Sequence, residues 1–251
     1  MLQDIAMQRG IAFRGYSENW LIELEQNTKV ARILGYKFDL NSSVAGEIAQ
    51  DKVAAYQVLD ANAVEAIPHY LIRTKAGEAQ WRTLDWAEGM VIKPLMGTSG
   101  HGVKLLFDAN QAEAAMVDSG IEAWAASPYY EVIREIRVII LDGVVLLAYK
   151  KQPVEHDGLK MFNLGRGARA VEHTLTDEQR DLAQKAQKAL GLRLCAVDII
   201  QTNDGILRVL EVNDGIMMEN YARQSQQNKL RTQKVYAAIV EKLFSERQNG
   251  L

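Results

Sequence analysis

The chain has 251 residues, with 29 Lys and Arg against 32 Asp and Glu for a formal charge of −3, and 48% of it is hydrophobic. That length forms one large domain or two small ones, and the near-neutral balance without a basic block excludes a dedicated nucleic-acid binder and a polybasic membrane anchor. No apolar run approaches the roughly 18 residues of a spanning helix, and the opening MLQDIAMQRG lacks signal-peptide order, so a cytoplasmic protein is expected. A lone Cys195, read as core, cannot pair internally, and with four histidines any metal is expected to be hard and oxygen-bound.

Residues 1–45 read as a short α/β segment. Trp20 to Glu25 alternates as a strand, Val30 to Leu40 reads as a second, and Gln26-Asn27-Thr28-Lys29 turns between them. Ala45 to Asp60 carries helical spacing, and Pro68 ends anything helical before it. Met90 to Pro94 and Val103 to Phe107 are short strands flanking a glycine-rich loop, Gly97-Thr98-Ser99-Gly100-His101-Gly102. Glu135 to Leu141 and Val144 to Lys151 form a hairpin through Asp142-Gly143. Thr176 and Gln179 resemble a capping box, with a helix continuing through Ala183 to Leu190 and ending at Gly191. Leu194 to Gln201 pairs with Ile206 to Val212, and a last helix runs from about Tyr221 to Phe244, burying Val235, Ile239, Val240 and Leu243. Strands and helices mix without strict alternation, which makes the class α+β.

Three groups of residues can carry chemistry. Glu211 and Asn213 share a strand face, and the right register brings Asp198 opposite them. Two carboxylates and an amide oxygen then suit Mg²⁺ with substrate phosphate. The plain alternative is that they mark strand ends. Enclosure of Asp198 within Cys195-Ala196-Val197-Asp198-Ile199-Ile200 favours the ligand reading, because an enclosed carboxylate needs a partner. Lys93 projects from a strand into the glycine-rich segment, where backbone N–H groups can approach phosphate; Val103 intervenes before Lys104, so this is not a Walker loop. Glu135 and Arg137 share a strand face near Lys150 and Lys151, with Asn163 and Arg166 in a following loop. Singly these charges are solvated edges, but together they supply cations for a polyphosphate and anions for its metal.

The Asp51-Lys52 pair, the Val-Ile-Lys-Pro strand with its glycine loop, the Glu-Ile-Arg strand, Asn163, and Asp198 with Glu211-Val212-Asn213 together resemble the ATP-grasp superfamily, in the branch of ribosomal-protein glutamate ligase and glutathione-synthase-like enzymes. The resemblance runs from Asp51 to about Tyr221. It implies two lobes of mainly antiparallel sheet around ATP, at 46–126 and 127–251, after a shortened N-terminal segment. It implies that Lys93, Lys52 and the loop glycines Gly100 and Gly102 hold phosphate. Lys52 has a second reading, as a residue that orients its helix. Ser127, Tyr129 and Tyr130 would belong to an interlobe hinge at adenine, and Glu135 would lie near the ribose. Arg137, Lys150 or Lys151, Asn163 and Arg166 would surround the γ-phosphate and acyl substrate. Asp198, Glu211 and Asn213 would bind one or two Mg²⁺, with Mn²⁺ an alternative. The segment after Asn213, Asp214 to Asn220, departs from the Ser-Pro-Gly ending of relatives, and Met161 stands where a basic residue is common.

The implied reaction is ATP-dependent ligation of a carboxylate to an amine, an amino acid or peptide, through an acylphosphate. The glycine loop would close over the site to exclude water, with His101 as a further loop candidate. A phosphotransferase and a non-catalytic nucleotide-binding module remain alternatives, and a homodimer is one way to complete the substrate pocket.

Overall fold

The structure is a computed structural model and describes residues 1–73, 82–97, 102–156 and 159–245. After α1 (Leu2–Gln8), strands β1 (Ala12–Tyr16), β2 (Leu21–Gln26), β3 (Lys29–Leu34) and β4 (Lys37–Phe38) form an antiparallel sheet in sequence order. Period-two alternation turns Ile22, Leu24, Ala31 and Ile33 inward and leaves Arg14, Glu23 and Arg32 as an outer ion-pair lattice. The single strand expected over Val30 to Leu40 is divided, because Gly35 turns with φ of +59° before β4 begins. The helix expected over Ala45 to Asp60 is also two, α2 (Ser43–Gln50) and α3 (Lys52–Ala61). Asp51 breaks it: its backbone is extended and its carboxylate accepts from the N–H groups of Val53 and Ala54, capping α3.

A second sheet contains β5 (Tyr70–Arg73), β6 (Met90–Pro94), β7 (Lys104–Leu106) and, after α4 (Ala109–Val117), β8 (Ala123–Pro128), in the order β5-β8-β6-β7. Ile72, Trp86, Met90, Ile92 and Trp124 form its own core with Met116 of α4.

The remaining chain gives β9 (Val132–Leu141), β10 (Val144–Gln152), the β11 (Val154–His156) and β12 (Leu159–Met161) hairpin, β13 (Arg169–Glu172), α5 (Asp177–Ala189), β14 (Leu194–Thr202) and β15 (Leu207–Asn213). Five of these strands form the largest sheet, β13-β10-β9-β14-β15, all neighbours antiparallel. Asp142 and Gly143, at φ of 46° and 80°, make the tight turn the dipeptide implies, and the Thr176–Gln179 capping box is present. The last helix breaks into α6 (Glu219–Ala222) and α7 (Gln226–Ser245), where the Ser225 hydroxyl accepts from the Asn228 N–H. Val235, Ile239, Val240 and Leu243 are buried as the spacing requires.

One face of the large sheet packs Ile136, Val138, Ile140, Val197 and Ile199 against α5 and α3. The other packs Ile139, Tyr149, Leu194 and Ala196 against the N-terminal sheet and α7. Asn41 ties the N-terminal segment to β14: its Oδ1 accepts from the N–H groups of Arg193 and Leu194, and its Nδ2 donates to the Leu194 carbonyl. Cys195 is fully buried, and burial pushes its thiol up to about 12. No helix among the described residues is long and apolar enough to cross a membrane.

Candidate active site

Where the second face of the large sheet runs beyond its apolar part, alternation places charge. Glu135 and Arg137 on β9 lie opposite Lys151 and Tyr149 of β10, and Asp198 of β14 lies opposite Arg137. Arg137 grips Asp198 bidentately, with Nε at 2.8 Å from Oδ1 and Nη2 at 2.5 Å from Oδ2. Lys151 bonds Glu135 and also reaches Asp198 Oδ1 at 3.0 Å. Asp198 is 1% exposed. Burial alone would raise its carboxyl, but Arg137 and Lys151 outweigh burial and hold it below the usual carboxylate range. Burial also raises the Glu135 carboxyl, with the Lys151 ammonium opposing. Beneath the network the Tyr149 ring stacks on Tyr221 at 4.7 Å between centroids.

The β14–β15 register puts Glu211 directly opposite Asp198, and Asn213 Nδ2 donates to Glu211 Oε1 at 3.1 Å. The three oxygen-bearing side chains expected to converge therefore share one strand pair, with Asp198 already bound to two cations. Among the described residues no three His, Cys, Asp or Glu side chains form a metal cage. The donor set is instead two carboxylates and an amide, which are hard ligands of the type Mg²⁺ takes while phosphate and water complete its shell.

The second sheet supplies the facing cations. Lys93 is half-buried on β6. Burial lowers its ammonium to about 8, with Glu211 opposing the shift and Lys52 adding to it. Lys52 Nζ donates to the carbonyls of Pro94, Leu95 and Gly97 at 3.2, 3.0 and 3.0 Å. It staples the start of the glycine loop to α3. Gly102 has φ of +73°, and a Cβ there would lie 3.1 Å from the Pro94 ring. Thr98, Ser99, Gly100 and His101 lie outside the described residues.

Ser127 is buried opposite Val91, and the Tyr129 N–H donates to the Gly89 carbonyl at 3.0 Å, so that hinge donor is committed within the protein. The Tyr130 ring carries the Arg208 guanidinium 4.8 Å from its centroid. Asn163 caps the single turn Leu164–Arg166 by accepting from the Gly165 N–H, and Arg166 is exposed. A Cβ on Gly165 would lie 3.0 Å from Asn220 Nδ2 and 3.1 Å from Asn163 Oδ1, so this loop abuts α6.

Two further expectations change. Lys150 pairs with Ile136 and lies on the opposite sheet face from Arg137 and Asp198, so of the two lysines only Lys151 joins the network. Glu135, 6% exposed, is ion-paired with Lys151 where a ribose contact would need an accessible carboxylate. His69 is the residue that sequence reasoning missed. It is 4% exposed, its Nδ1 bonds the Ile67 carbonyl at 2.9 Å, and its Nε2 is buried without a partner among the described residues. Burial, reinforced by Lys93, lowers it to about 3, so the ring is neutral.

The profile of the RimK-like ATP-grasp domain matches residues 49–237. A probable alpha-L-glutamate ligase of Legionella pneumophila (strain Corby) is 32% identical over 199 residues, spanning 76% of this chain and 64% of the relative. The chain thus spans less than two thirds of that relative's length. The D-alanine–D-alanine ligase from Bacillus anthracis complexed with ATP superposes with a TM-score of 0.63 at 19% identity, covering 81% of this chain and 68% of the other. A bifunctional glutathione synthetase from Pasteurella multocida gives 0.64 at 17% identity, covering 98% of this chain and 43% of the other. These two structures share the α+β fold, including mainly antiparallel sheets.

Proposed function

The chain belongs to the RimK-like ATP-grasp family, and on that premise we propose that it is an ATP-dependent, ADP-forming carboxylate–amine ligase working through an acylphosphate. The observation that carries the reading is the strand pair that sets Glu211 opposite Asp198, itself held by Arg137 and Lys151, with the Glu211 charge acting on Lys93 of β6. That arrangement supplies cation to phosphate oxygens and anion to a divalent ion, which two mutually repelling substrates, ATP and a carboxylate, both need.

Lys93 would hold nucleotide phosphates, and Lys52 would fix the loop over them. Glu211 and Asn213, with Asp198 across the ladder, would hold Mg²⁺ or Mn²⁺. The ion, when bound, neutralises charge on the transferring phosphoryl group. Arg137 and Lys151 keep Asp198 ionised and aimed, and Asn163 and Arg166 border the acyl side. The amine is proposed to be an amino acid or peptide. L-Glutamate is the first to try, given the relative's printed name.

The test is ADP release screened over amino acids and short peptides, with mass spectrometry of the products. A product heavier by one condensed amine supports the reading. Hydroxylamine should divert the acyl group to a hydroxamate. ATP turnover that yields a phosphorylated product and no hydroxamate would replace the ligase with a phosphotransferase, and nucleotide binding with no turnover on any acceptor would leave a binding module.

A further inference from the structure

Between the N-terminal sheet and the segment that follows Asn213 lies a cavity of about 410 Å³, a volume ordinary for a small-molecule site. Its inner wall includes Ile33, Phe38, Ile216 and Tyr236. At its mouth the Trp20 and Tyr36 rings meet edge to face, 6.3 Å between centroids, and they are 58% and 37% exposed. The charged side chains among its lining residues are Glu18 and Glu219, both acidic. Glu219 Oε2 is buried and accepts no hydrogen bond among the described residues. A carboxylate oxygen without a donor is costly to bury, and the hydroxyl of Tyr236, the neighbouring donor, goes to the Ile216 carbonyl at 3.2 Å.

The mouth is held in place by its backbone. Ser17, Glu18 and Asn19 all have left-handed φ, at 49°, 56° and 66°, which side chains other than glycine rarely adopt. Gly15 makes room for the Asn19 side chain, whose Oδ1 would be 1.9 Å from a Cβ there. Gly35 makes room for the Trp20 ring, which would be 2.7 Å from its Cβ.

We propose that this cavity is a second binding site, for a primary amine on an apolar or aromatic body. The ammonium donates to Glu219, and the body lies against Phe38, Trp20 and Tyr36. Aromatic faces and a carboxylate together favour a cation over a neutral or anionic ligand of the same shape. None of its lining residues belongs to the nucleotide site proposed above, so the inference stands whether or not the ligase reading holds.

Calorimetry on the full chain at pH 7 tests it, with phenethylamine as probe and 2-phenylethanol and phenylacetate as the neutral and anionic controls. The amine should bind saturably with one site, at least about tenfold tighter than the alcohol, and phenylacetate should not bind. Glu219→Gln should remove that preference and leave the alcohol unchanged. Trp20→Ala, at an exposed position that does not threaten folding, should weaken amine and alcohol alike. Saturating ATP should leave amine binding as it is. Equal binding of amine and alcohol, an undiminished preference in Glu219→Gln, or displacement of the amine by ATP would each overturn the proposal.

Discussion

Arg137 and Asp198 are direct cross-strand partners on β9 and β14, and the guanidinium meets both carboxylate oxygens in a nearly solvent-free place. Removing the Asp198 charge leaves the Arg137 guanidinium without its bidentate partner and Lys151 with Glu135 alone. We therefore expect Asp198→Asn to destabilise the fold by about 3–5 kcal/mol. Arg137→Ala combined with Asp198→Ala should cost less than the two single changes together. Urea unfolding of the four proteins in the cycle measures this.

On the proposed function, Lys93 carries the pH dependence of nucleotide binding. In the free protein its ammonium is charged below about 8 and loses its proton above. ATP affinity should fall as pH rises through 8, and Lys93→Arg should flatten the fall, since guanidinium keeps its charge. The unfolded chain retains this proton up to about 10.5. The folded state therefore binds fewer protons between 8 and 10.5, and the Lys93 contribution to stability rises with pH across that window. ATP titrations between pH 7 and 9.5 and denaturation at the same values read both effects.

His69 should act in the acid range. Its folded value of about 3 lies well below the ordinary 6.5, so the unfolded chain binds the extra proton in between and stability declines as pH falls from 6.5 toward 3. His69→Gln should show a shallower decline over that range in thermal melts.

Glu211→Gln should weaken divalent-ion binding in the presence of ADP by roughly tenfold or more, since it removes the charged donor nearest Asn213. Mn²⁺ titration followed by electron paramagnetic resonance reports the bound fraction. Because Glu211 also opposes the lowering of Lys93, the same substitution should move the pH midpoint of ATP binding downward.

The two ends of the glycine loop should respond unequally to a methyl group. Gly102 has φ of +73° and a Pro94 ring 3.1 Å from its would-be Cβ, whereas the nearest atom for Gly97 is at 3.6 Å. Gly102→Ala should cost about 1 kcal/mol or more, and Gly97→Ala close to nothing. Thermal melts of the two variants compare them directly.

Features set by local chemistry or by period-two alternation were legible in the sequence. The Asp142-Gly143 turn, the Thr176 cap and the shared face of Glu211 and Asn213 needed only their neighbours. The division of one expected helix at Asp51 was harder, because its carboxylate competes with the helix for two N–H groups inside an unbroken apolar spacing. The choice between Lys150 and Lys151 depended on the β9–β10 register, which places only one of them on the Asp198 face. The pairing of Glu135 with Lys151, sixteen positions away on the next strand, depended on the same register. His69 and the Trp20–Tyr36 mouth arise from contacts between segments far apart in sequence, where no short pattern points to them.

Val209 on β15 bonds in both directions to residues 65–67: its N–H donates to the Glu65 carbonyl and its own carbonyl accepts from the Ile67 N–H. The chain leaves that clasp through Pro68 and His69 directly into β5. The smaller sheet is therefore hung from the outer edge of the larger one, two residues from Glu211. On the proposed function, a swing of the smaller sheet would act on the strand that holds Glu211, and grip on a nucleotide and placement of its metal would share one pivot. The same clasp occupies the edge of the large sheet at Val209, where both backbone groups are already paired.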